Sequence, residues 1–142
     1  MTLISDQVRS YSSSSGYYSL LLPRNWEFEE DDVCVSFYRS DNGIGALQLS
    51  AYGTGDRQCA KHVLMEYLEE EEVTDSSSIL HIQNEEKEQA LTTYIRLKTF
   101  YKVWVITKDE ILILATYNRS IEESSEEEQE VDKIIASLRV LE

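Results

Sequence analysis

The chain contains little that reacts. Of 142 residues, only 2 are cysteine, 2 are histidine and 1 is proline. Two cysteines, Cys34 and Cys59, with no C-x-x-C spacing, cannot build a disulfide framework, and both read as small buried hydrophobes. No H-E-x-x-H, no G-x-S-x-G and no calcium-loop pattern occurs. No stretch approaches the roughly 20 apolar residues of a membrane-spanning helix. Met1–Asp6 has neither a long apolar run nor a small-residue cleavage site. The expected location is therefore the cytoplasm, with reduced thiols.

Basic residues are also scarce. There are 13 against 27 acidic ones, a formal charge of −14. Phosphate backbones and anionic membranes repel such a chain unless its cations cluster. Lys98, Lys102 and Lys108 come nearest to a cluster and are spread along strands. The acids, by contrast, are grouped. One group is Glu27, Glu29, Glu30, Asp31 and Asp32. A second is Glu69, Glu70, Glu71 and Glu72. A third is Glu85, Glu86 and Glu88, and a fourth runs from Glu122 to Glu130. Charge runs ordinarily solvate a face; a grouped excess can also steer a basic partner.

With 42% apolar residues the chain can bury one ordinary core. Residues 1–15, with the serine run Ser12–Ser15, read as a flexible lead-in, and 16–142 as one domain. Gly16–Leu22 reads as a strand that Pro23 and Arg24-Asn25 end. Alternation continues in Trp26–Glu29 and in Val33–Tyr38. Asp41-Asn42-Gly43 signals a turn, and Leu47, Leu49 and Ala51 alternate after it. Ala60, Val63, Leu64, Tyr67 and Leu68 make one helical stripe, predicting a helix from about Arg57 to Glu71, with Asp56 able to cap it. Glutamates at its C-terminal end oppose the helix dipole, which predicts early fraying. Strands follow at 79–83, 91–97, 100–107 and 111–117. Ile111–Ala115 is apolar on both faces, as a central strand covered twice must be. Ser120/Glu123 and Ser124/Glu127 have capping-box spacing. Val131, Ile134, Ile135 and Leu138 form the stripe of a closing helix over about 121–138.

Leu20-Leu21-Leu22-Pro23-Arg24-Asn25-Trp26 resembles the opening of the PsbP-like family, which includes the photosystem subunit PsbP and the yeast Ran-release factor. The stretch Ile111–Leu138, with Ala136-Ser137-Leu138 near its end, looks like that family's last strand, acidic linker and closing helix. The resemblance implies an α+β fold, an antiparallel sheet of six or seven strands packed with two amphipathic helices. It also implies protein binding without catalysis, and it carries over no binding residue.

Candidate chemistry is sparse. His62 and Glu66 share a helix face and read as a solvated pair. Gly53-Thr54-Gly55-Asp56 precedes a helix but sits amid acid. The leading expectation is a non-catalytic interaction module with no cofactor or metal, one specific form being an immunity-type inhibitor of a basic partner. Its contact residues would be Glu29, Glu30, Asp31, Asp32, Glu69, Glu70, Glu71 and Glu72. Its expected partner is another protein, basic in charge, with the chain itself a monomer or weak homodimer. The alternative is a small-ligand or hydrolytic pocket lined by Tyr38, Tyr52, His81, Tyr94 and Trp104.

Overall fold

A computed structural model describes residues 8–32, 34–41, 43–84, 87–123 and 126–141. Its strands are β1 Val8–Ser12, β2 Tyr18–Pro23, β3 Trp26–Glu30, β4 Val35–Arg39 and β5 Gly45–Gly53. After helix α1, Ala60–Glu70, come β6 Leu80–Gln83, β7 Glu88–Arg96, β8 Thr99–Lys108 and β9 Ile111–Ser120. Helix α2, Glu126–Ser137, and β10, Arg139–Val140, close the chain. Seven strands form one antiparallel sheet in the order β3-β4-β5-β9-β8-β7-β6. The other three form a small sheet in the order β1-β2-β10. The α+β class, the two amphipathic helices and the antiparallel sheet are those expected.

The large sheet is covered on both faces because its central strands are apolar on both. In β8, Val103 and Val105 point one way and Trp104 and Ile106 the other, and all four are buried. The first pair meets Ala60, Leu64 and Leu68 of α1. The second pair joins Ile113 and Tyr117 of β9 beneath α2 and the small sheet, which contribute Ile134, Leu20 and Leu22. Gly45, opposite Arg119 at the start of β5, has to be glycine: a Cβ there would lie 2.2 Å from the Asn118 carbonyl oxygen.

Three local expectations need correction. The lead-in is not an arm along its whole length, because Val8–Ser12 pairs with β2 from Val8↔Pro23 to Ser12↔Ser19 and Tyr11 is buried. The serines close that hairpin: Ser13 Oγ accepts the N–H groups of Tyr17 and Tyr18 at 3.1 and 3.3 Å. Helix α1 starts after Cys59, whose side chain caps none of the helix's own N–H groups. Asp56 is not the cap. Its carbonyl is held by the Thr54 hydroxyl at 2.6 Å, which keeps it in the preceding loop. Helix α2 starts at Glu126, because Ser120 Oγ takes the Glu122 N–H at 3.2 Å and shapes a separate turn. Asn42 and Ser124 lie outside the described residues, and so do the signals that rest on them.

Glu127 ties α2 into the core. It is buried to 1% exposure. Its carboxylate accepts the Tyr117 hydroxyl at 2.8 Å and the Ile44 N–H at 3.0 Å. Removing one partner of a buried bond leaves the other unsatisfied, at about 1–3 kcal/mol per group. Glu127→Ala is therefore expected to lower unfolding stability in urea by about 2 kcal/mol or more, and Glu127→Gln by less. An unchanged midpoint for Glu127→Ala would show that the two donors find other partners.

Candidate interaction surface

The β7–β8 hairpin breaks a local rule. Arg96 pairs with Thr99, so Leu97 and Lys98 alone make the turn. Both sit at positive φ, 51° and 67°. A two-residue turn of this kind favours Asn-Gly, because a side chain in the left-handed region costs about 1–2 kcal/mol per residue. Here the positions hold leucine and lysine instead. Leu97 is also 91% exposed, with Ile95 at 55% and Ile121 at 41%. Ile121 is held beside the turn by its N–H, which donates to the Lys98 carbonyl at 3.0 Å. An open cleft of about 370 Å³ adjoins, lined by Asp75, Ser77, Tyr94, Ile95 and Phe100 among others.

The acidic run at the end of α1 lies against this hairpin. The helix does not fray; it closes in a Schellman motif. The Val73 N–H reaches the Leu68 carbonyl at 2.8 Å, and the Glu72 N–H reaches Glu69 at 3.0 Å. Glu72 occupies the left-handed position that glycine ordinarily fills, at φ 58°. The Arg96 guanidinium donates to the Glu71 carbonyl and joins helix end to hairpin. Underneath, Tyr94 and Tyr101 stack at 4.8 Å and Arg96 lies 5.7 Å over Tyr94. Burial foremost, then Tyr94 and Glu71 nearby, pushes the Tyr67 phenol up to about 12. Glu69 to Glu72 are all exposed. On the other side of the turn, exposed Glu122 and Glu123 follow Ile121.

The second expected acidic set is elsewhere. Glu29 to Asp32 lie at the end of β3, the opposite edge of the sheet. Four strand spacings separate β3 from β8, roughly 20 Å. Glu30 accepts the Tyr11 hydroxyl, and Asp31 Oδ1 takes the Cys34 N–H at 2.8 Å to close the β3–β4 turn. The two acidic groups thus do not form one surface.

Nor do the five residues of the expected pocket meet. Tyr94 belongs to the core under α1 and Trp104 to the core under α2. Tyr38 and Tyr52 lie at opposite ends of the β4–β5 pair. His81, on the edge strand β6, points its Nε2 at Glu88 Oε2, 2.6 Å away. Glu88 is buried and also receives the Cys59 thiol at 3.8 Å and the Thr107 hydroxyl at 3.5 Å. It takes the Ala60 N–H as well, so a β7 carboxylate serves the α1 N-terminus from across the fold. Cys59 is exposed and Cys34 half-buried, so neither is the buried hydrophobe expected. The Glu88 carboxylate stands between the Cys59 thiol and the His81 imidazole and holds both. Among the described residues no group of three or more His, Cys, Asp or Glu could hold a metal ion. None of the described helices is long and apolar enough to cross a membrane.

The sequence singled out Glu69 to Glu72 but missed Ile95, Leu97 and Ile121. Leucine and lysine carry no turn signal, so the apolar residues there read as strand interior. The available clue was spacing: two β-rich segments with too little chain between them for any loop but a tight one.

Layering and strand order define a PsbP-like α+β fold. The solution structure of cyanobacterial PsbP (CyanoP) from Synechocystis sp. PCC 6803 is similar at TM-score 0.69 and 13% identity, covering 94% of this chain and 92% of that one. A crystal structure from Bacteroides thetaiotaomicron VPI-5482 is similar at TM-score 0.67 and 20% identity, covering 96% of this chain and 49% of that one. This chain spans about half the length of the Bacteroides protein. At these identities both likenesses concern the fold alone. The chain belongs to the family of a domain of unknown function, DUF3805, which matches residues 6–142. No curated protein matches it.

Glu88 makes stability depend on pH. Burial pushes its carboxyl up, but the His81 bond, the Ala60 N–H, the imidazole charge and the thiol outweigh it and hold it below the ordinary 4.5. A group lowered in the folded state stabilises above its unfolded value and loses that effect as pH falls through the folded value. The stability gap between wild type and Glu88→Gln should therefore be full near neutrality and shrink steadily below about pH 4.5. Urea unfolding at several pH values measures it; a gap that stays constant into acid contradicts the assignment.

Proposed function

We propose that this chain is a non-catalytic interaction module that presents an acidic, rigidly held surface to a basic protein partner in the cytoplasm. The observation that carries this reading is the Glu69–Glu72 run. It opposes the dipole of α1, and Glu72 occupies a glycine position, yet all four residues are exposed, and the Glu71 carbonyl is tied to the hairpin by Arg96. Local rules kept broken at one place, without visible gain in stability, mark function. A net charge of −14 adds long-range attraction for a cationic partner and speeds its encounter. Two free thiols suit a reducing compartment.

Replacing Glu69, Glu70, Glu71 and Glu72 together by Gln tests the reading. Relief of the dipole conflict should leave the fold as stable as wild type or more so. Affinity capture at low and at moderate salt should recover a basic protein with the wild type only, more weakly at moderate salt. Equal capture by the neutral variant, or no partner at either salt, contradicts the proposal.

A further inference from the structure

At the tip of the β7–β8 hairpin the Leu97 side chain packs on almost nothing and stands on a costly backbone. The geometry points to Leu97 as the anchor of the docking surface, flanked by Ile95 and Ile121, inserting into an apolar pocket of a protein whose rim is basic. This rests on the proposed acidic interaction surface and places its centre.

Three observations converge on it. Leu97 is 91% exposed, which removes any packing reason for a leucine. Leu97 and Lys98 hold the two positive-φ positions where Asn-Gly is favoured, so the turn chemistry gives no reason either. The tip is nevertheless held firmly. Arg96 reaches back to the Glu71 carbonyl, and the Ile121 N–H reaches the Lys98 carbonyl at 3.0 Å. A rigid apolar residue loses little freedom on binding, and interface energy concentrates in such anchors with polar residues around them.

Charge selects the occupant. Glu69 to Glu72 reach the hairpin at Arg96, and Glu122 and Glu123 follow Ile121 beside the turn, so these six exposed acids outweigh the exposed Lys98 in the turn itself. A pocket that swallows Leu97 must bring its own rim against both, and basic residues there complement them. A second copy is disfavoured, because each carries −14 and would set acid against acid.

The partner recovered by wild-type capture is purified and titrated calorimetrically. Leu97→Asn with Lys98→Gly supplies the favoured turn, so its thermal midpoint should rise while affinity falls about tenfold or more. Leu97→Met should keep affinity within about threefold, since it still fills an apolar pocket. Leu97→Ser, with the native Lys98, guards against an altered turn and should also bind weakly. If the Asn-Gly and Ser variants bind like wild type while the Gln variant of Glu69 to Glu72 does not, the acidic surface stands and the Leu97 anchor falls. If none of these variants alters binding, or if no partner is captured, both fall. Sedimentation showing that the wild type self-associates through Leu97 would also overturn the inference, because the occupant would be a second copy.

Discussion

Two neighbouring strands buried on both sides set the terms for everything else in this protein. β8 and β9 carry apolar side chains on both faces, so neither face can meet water without losing about 25 cal/mol per Å² of exposed apolar surface. One face takes α1. The other takes α2 and the small sheet, which is why segments near both chain ends are drawn in: β1 and β10 flank β2 and close the second layer. The β7–β8 hairpin that grows out of this doubly packed centre inherits its rigidity. A tip on such a base can hold Leu97 and Lys98 at positive φ, where a loosely tethered loop would relax.

Two buried carboxylates bind the layers to each other. Glu127 joins α2 to β9 and to the start of β5 through the Tyr117 hydroxyl and the Ile44 N–H. Glu88 joins β7 to β6 and to the first turn of α1 through His81, Cys59 and the Ala60 N–H. Each lies among donors, which is the condition for burying an acid at tolerable cost. In a chain this rich in acid the inner and outer glutamates thus do different work. Those inside accept hydrogen bonds and fix geometry. Those outside, at the end of α1 and around Glu122, face solvent and make the negative field of the surface.

Much of the fold was legible because burial leaves a period. The doubly apolar Ile111–Ala115, the helical stripe from Ala60 to Leu68 and the stripe from Val131 to Leu138 each announce which faces are covered. β1 left no such mark. Its serines suggest a solvated arm, yet one buried tyrosine and a full ladder with β2 suffice to order it. The cap of α1 was equally hidden, since the carboxylate that serves it comes from β7 and not from the residues just before the helix. Of the candidate surface, the glutamate run was visible as composition, whereas its tie to the hairpin through Arg96 depends on tertiary placement. Leu97 could not be found from residue type, because leucine carries no turn signal and its positive φ and exposure appear only in the folded hairpin.

Native-state hydrogen exchange measures the central claim most directly. If β8 and β9 are the shared frame, the amides of Val103–Ile106 and Leu112–Ala115 exchange only through global unfolding, with a denaturant dependence equal to that of the whole protein. The amides that close the hairpin at Arg96 and Thr99 should open with them rather than ahead of them. Exchange of β8 and β9 through local openings, at a free energy well below global unfolding while α1 stays protected, would contradict the account.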